Sequence, residues 1–233
     1  MNKMFANMIT SFFPKKYRKD IRKILVLKGT NSDQSNKIIV IENGLERELK
    51  NNESVPGLDI IFTGKNNLVK IYYPTSIQSS AITIGGENNL VCIKETRYLI
   101  NGLNIAVDYN TCYRKILIDK NFSCNGAIIQ VRGNNKTVEI GEDCMFSYGI
   151  DIMNGDHHKV FESEGQLIEM YKDKKIGKHV WLASNCKILK NADIQDGCII
   201  GAGSVVTKTF KEKNAVIAGN PAKVVKRNIR WER

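Results

Sequence analysis

The chain has 233 residues, 42% of them hydrophobic, with 35 lysines and arginines against 24 aspartates and glutamates and a formal charge of +11. That balance excludes a disordered or fibrous chain and describes a globular protein whose surface attracts anions. Aromatic residues make up only 8% and do not interleave with the basic ones, and no RNA-recognition or helix-turn-helix signature occurs, so nucleic acid is not an expected partner.

Residues 1–36 form the first predicted unit. Phe5, Met8, Ile9, Phe12 and Phe13 precede a basic run, Lys15, Lys16, Tyr17, Arg18 and Lys19, which suits one or two short helices. Their apolar side is expected to cover the open end of the fold that follows; a weak peripheral membrane contact is the sharper alternative. Asn7, Thr10 and Ser11 interrupt the apolar stretch and no small-residue cleavage site follows, so neither a signal peptide nor a membrane span is expected. Six cysteines without a CxxC pair offer no zinc-site spacing and suit a reducing, cytoplasmic setting.

From Lys37 to Val131 the pattern is short β-rich runs punctuated by Gly and Asn. Gly64-Lys65-Asn66-Asn67-Leu68 recurs as Gly86-Glu87-Asn88-Asn89-Leu90, and in shortened form at Gly133-Asn134-Asn135. The spacing fits one and then two turns of a solenoid with loose corners, because Gly and Asn both tolerate positive φ.

The strongest signal lies further on. Ile176, Leu182, Ile188, Ile194, Ile200 and Val206 follow one another at six-residue steps, and Val180, Cys186, Ala192, Cys198 and Ser204 fill the slimmer positions between them. On a helix, six residues rotate a side chain by roughly 600°, onto a different face at each step. A strand keeps even-numbered neighbours on one face, but a single strand of that length would be abnormal, so the chain must turn repeatedly in register. The prediction is an all-β solenoid, a parallel β-helix of hexapeptides over 37–210, followed by a C-terminal tail with a helical cap over 211–233.

Hexads also begin at Ile140, Phe146 and Ile152, then fail where Asp156 would fall in a slim interior slot, since an unpaired carboxylate cannot occupy an apolar tube. The chain is therefore expected to leave the coil for a polar loop at about 154–175. That loop contains Asp156, His157 and His158, and long excursions from a rigid scaffold tend to carry function.

The stretch from Ile176 to Lys208 (IGKHVWLASNCKILKNADIQDGCIIGAGSVVTK), followed by AVIAGNPAKVVK, resembles the hexapeptide-repeat acyltransferases of the left-handed β-helix type. In appearance it is most similar to bacterial polysaccharide and sialic acid O-acetyltransferases. The resemblance implies acetyl-CoA as co-substrate, no metal, a homotrimer, and a saccharide acceptor, acidic in view of the net charge. It assigns the general base to His158, with adjacent His157 as rival, and makes Asp156 a candidate to orient the imidazole. Trp181 falls on the family tryptophan near the acyl centre; Ala183 stands where the family has glycine. Cofactor contacts fall on Ser184, Ala202, Thr207 and Lys208, with Lys223 and Lys226 near the phosphates. Between Lys208 and Arg233 eight basic residues face two acidic ones, which suits a phosphate partner. An N-acetyltransferase, a metal lyase and a non-catalytic scaffold are the alternatives.

Overall fold

The computed structural model describes residues 34–156 and 158–233, and these form twenty β-strands and no helix. Apart from two antiparallel hairpins, strands that pair lie one coil apart in sequence. Leu68–Tyr72, Leu90–Ile93, Lys115–Ile118, Thr137–Ile140 and Lys174–Ile176 stack in parallel as the first side of a triangular tube. The second and third sides share a sheet, because the nine-residue strands Leu99–Val107 and Ser123–Val131 run through a corner unbroken. They bend at Gly102 and Gly126, whose φ values of 65° and 128° are costly for a residue with a β-carbon.

The six-residue repeat points inward as expected. Ile176 lies beneath Ile194, Leu182 beneath Ile200 and Ile188 beneath Val206, and all six are at most 1% exposed. The slim positions are fully buried. The one hydroxyl among them, Ser204, donates to the Gly201 carbonyl and accepts from the Gly219 amide at 3.0 Å, so no polar group is stranded. Burial pushes the thiols of Cys124 and Cys144 up to about 11 and 12, which makes them inert packing groups.

In the N-terminal half the Gly-Asn repeat builds a buried ladder. Asn67 donates to Asn36 Oδ1 at 3.1 Å, Asn89 donates to Asn67 Oδ1 at 2.8 Å, and Arg114 Nε donates to Asn89 Oδ1 at 3.2 Å. The coil between Gly86 and Gly133 thus replaces Gly-x-Asn-Asn with Thr111-Cys112-Tyr113-Arg114. Tyr113 takes the left-handed φ (59°) that Asn66, Asn88 and Asn135 hold in the other coils.

One sequence expectation changes and one is not reached. The predicted N-terminal helices lie outside the described residues. The C-terminal helical cap is instead a β-hairpin, Val216–Gly219 against Ala222–Lys226, with the first strand continuing the coil beyond residue 210. Valine-rich alternation over Ala215–Val225 favours extended backbone, and Asn220-Pro221 supplies the turn.

Lys174 is 2% exposed and spends its ammonium on the carbonyls of Leu189, Lys190 (3.0 Å) and Ala192 (2.7 Å), tying off a corner of the next coil. Burial lowers its pKa from 10.5 to about 8. The folded state therefore binds fewer protons than the unfolded state between those values, and stability contributed at this site rises with pH through that window. Relative to Lys174→Met, the native chain is expected to gain on the order of 2–3 kcal/mol between pH 7 and 10.5, read from denaturant midpoints. A pH-independent difference would contradict it.

Candidate active site

The coil is interrupted where the hexads fail. Between Ile150–Met153 and Lys174–Ile176 the chain makes an irregular hairpin arm, with pairing between Gly155 and Tyr171 and between Phe161 and Leu167. Buried Asn154 clamps both legs, donating to the carbonyls of Arg132 (2.9 Å) and Lys172 (3.1 Å). The Tyr171 ring lies over Gly133 and Gly155, where a β-carbon would come within 2.7 and 2.2 Å of it, so glycine is required at both.

Asp156 departs from its expected role. Its carboxylate accepts from the largely buried ammonium of Lys190, which also donates to the Glu169 carbonyl at 2.8 Å. A cation at 10% side-chain exposure needs a counter-charge, and this pair pins the arm to the coil. Asp156 is thus an anchor of the arm and does not hold the His158 imidazole. His158 is exposed, two residues beyond the anchor. His157 lies outside the described residues.

The remaining candidates fall on different corners. Thr207 and Lys208 are exposed at the corner from which the arm leaves, where Thr209 Oγ1 donates to the Asn191 carbonyl. Ser184 and Ala202 stack at the corner between the second and third sides; the amide of Gly203 bonds the Ser184 carbonyl at 2.8 Å. Nothing lies within 4 Å of a β-carbon on Gly203, so the backbone there is open to approach. Lys223 and Lys226 pair with Ala218 and Val216 across a bulge that leaves Val225 unpaired, which turns both lysines to one face. Of the eight basic residues in this region, four are occupied by carboxylates: Lys213 with Asp196, Arg227 with Glu212, Arg230 with Glu232 and Arg233 with Asp143.

Trp181 stands on the outer face of the second side, between buried Val180 and Leu182. That side lies opposite the arm's corner, so one chain does not bring His158 and Trp181 together. The indole N–H of Trp181 is shielded from solvent and has no hydrogen-bond acceptor.

A cluster that sequence reading missed adjoins Trp181. At the corner between the first and second sides, successive coils place Asn121, Asp143, His179, Gly197 and Asn214 in the same left-handed slot, with φ between 50° and 69°. Stacking brings His179 Nδ1 within 2.6 Å of Asp143 Oδ2. The irregular C-terminal segment beyond Lys226 crosses this corner: Trp231 stacks on the His179 ring (centroids 3.9 Å apart, 11° between planes), and Arg233 bonds Asp143 and Ser123 while covering the Tyr98 ring. Hexad counting could have found the first pair, since 143 and 179 are both corner positions. A groove of about 500 Å³ on the first side, lined by Lys94, Asp119, Glu139, Lys175, Lys178 and Asp196, contains none of the expected site residues.

A β-helix of hexapeptide coils, interrupted by one polar arm, defines a hexapeptide transferase scaffold, and residues 173–208 match the family described as bacterial transferase hexapeptide (six repeats). The chain is 37% identical over 172 residues to a polysialic acid O-acetyltransferase of Neisseria meningitidis, covering 73% of this chain and 77% of that protein. It is 34% identical over 109 residues to a polysialic acid O-acetyltransferase of Escherichia coli O1:K1 / APEC, covering 46% of this chain and 35% of that longer protein. Its fold is similar to the crystal structures of the polySia specific acetyltransferase NeuO (TM-score 0.67, 27% identity, 85% of this chain and 79% of that one) and of the polysialic acid O-acetyltransferase OatWY (TM-score 0.54, 30% identity, 75% and 91%). The chain belongs to the hexapeptide-repeat acyltransferases, and its coil is of their left-handed type. It is an acyltransferase.

Proposed function

We propose that the protein transfers an acetyl group from acetyl-CoA to a hydroxyl of an acidic bacterial surface polysaccharide or its precursor, with polysialic acid the first acceptor to try. The observation that carries this reading is the 37% identity, over 73% of the chain, to a polysialic acid O-acetyltransferase. The charge of +11 supports an anionic acceptor.

In this reading the His158 imidazole takes the proton of the acceptor hydroxyl as its oxygen attacks the thioester carbonyl, then returns a proton to the departing thiolate. Trp181, on the outer face of the second side, lines the acceptor pocket with its ring. The open corner at Ser184, Ala202 and Gly203 admits a thin pantetheine arm. Lys223 and Lys226, on one face by virtue of the bulge, suit the phosphates, with Thr207 and Lys208 toward the arm's corner.

Because His158 and Trp181 face opposite ways, the complete site draws them from two copies, which favours the homotrimer. The arm's exposed Val160, Phe161, Leu167 and Ile168 give a second copy apolar surface to cover. Six free cysteines suit action in the cytoplasm. No helix among the described residues is long and apolar enough to cross a membrane, and the weak membrane contact rests on the basic N-terminal segment outside them. Thiol release from acetyl-CoA that depends on polysialic acid tests the reaction; an acetyl product stable to mild alkali would instead mark the N-acetyltransferase alternative.

A further inference from the structure

We propose that Trp231, held by the C-terminal strap, is a positioning residue that fixes the Trp181 ring for acceptor binding. The inference rests on the reading of Trp181 as a wall of the acceptor pocket. Trp181 projects from a two-residue strand, and its neighbours in the same outward row, Met145 and Ile199, are flexible or aliphatic. The Trp231 ring supplies an aromatic wall, with centroids 6.0 Å apart and planes inclined by 46°, within the range of favourable aromatic pairs.

Trp231 is itself tightly held. It is 8% exposed, its N–H donates to the His179 carbonyl at 3.1 Å, its ring stacks on the His179 imidazole, and its own carbonyl lies 3.0 Å from His179 Nε2. Upstream, the amide of Ile229 bonds the Asn214 carbonyl at 2.9 Å. Downstream, Arg233 bonds Asp143, the Asn121 carbonyl and the Cys144 carbonyl, so the strap is fastened on both flanks of the tryptophan. The two indoles are used differently: that of Trp231 is spent on the fold, while that of Trp181 has no acceptor. A ring immobilised by a buried second ring is the arrangement that preorganised recognition requires. Trp231 does not reach the acceptor, since it is buried behind this contact.

The test is a double-mutant cycle of Trp181→Ala and Trp231→Ala in the full chain, read as kcat/KM for polysialic acid at saturating acetyl-CoA, with KM for acetyl-CoA measured alongside. Trp231→Ala is expected to lower kcat/KM for polysialic acid about tenfold and to leave KM for acetyl-CoA within about twofold. Trp231→Phe, which keeps an aromatic wall, is expected to recover most of the loss. In a Trp181→Ala background, removing Trp231 is expected to add nothing. Unchanged kcat/KM in Trp231→Ala overturns the inference, as does an effect that persists undiminished when Trp181 is already alanine. If Trp181→Ala alone leaves kcat/KM unchanged, the underlying reading of the pocket fails, and the inference with it.

Discussion

Alanine at His158 is expected to lower kcat by at least about 10²-fold while the protein stays folded. A sugar hydroxyl is a poor nucleophile until its proton can leave, and imidazole is the side chain whose ordinary titration range serves that purpose near neutrality. His158 is exposed on the arm, so its loss removes no core contact, and the coil below is fastened independently by Asn154, Tyr171 and the Asp156–Lys190 pair. A fall in kcat without a fall in melting temperature therefore reports chemistry. His157→Ala, made in parallel, is expected to have the smaller effect, because the family spacing puts the base on His158. Near-normal turnover in His158→Ala, with collapse in His157→Ala, would move the base one residue. Asp156→Asn is a separate matter: it weakens the anchor of the arm, so its effect should follow arm order.

The second large effect concerns stability. Arg114→Met is expected to destabilise the fold by about 3–5 kcal/mol, measured as a shift in denaturant midpoint at constant slope. Arg114 is fully buried, and burial lowers its pKa to about 10, so it remains charged at neutral pH. Its guanidinium serves the Asn89 side chain and the carbonyls of Asp108 (2.7 Å), Val131 (3.3 Å) and Thr111. Methionine fills similar volume but donates nothing, and several buried acceptors lose their partner at once. It also removes the end of the asparagine ladder, so the cost should extend to the coils of Asn67 and Asn36. A shift of less than about 1 kcal/mol would show that water reaches these carbonyls and that the ladder is closed another way.

The tube was legible in the sequence because its interior obeys a rule of period: every inward position from Ile176 to Val206 is both six residues from the next and buried. The loop was legible for the same reason in reverse, since Asp156 breaks the rule. What the period does not encode is where side chains on different coils meet. No repeat singles out Arg114, although it closes the Asn36–Asn67–Asn89 ladder. His179 and Asp143 are 36 positions apart; the period marks both as corner positions, and the stacking of the two left-handed residues brings their side chains to 2.6 Å, a contact the period alone does not state. The basic tail was read as one phosphate-seeking surface, yet Arg227 and Arg233 are bound to Glu212 and Asp143, which narrows that role to fewer lysines. The helical cap fails because the valines around Asn220-Pro221 favour extended backbone, so the chain after the last hexad makes a β-hairpin.

The most direct measurement combines the purified protein, acetyl-CoA and polysialic acid, and follows free thiol together with the mass of the glycan. Thiol release only when both substrates are present, matched by an acetyl mass gain that mild alkali removes, is the expected result. No acceptor-dependent thiol release with sialylated or uronic-acid glycans, or an acetyl group that survives alkali, would contradict O-acetylation of an acidic polysaccharide.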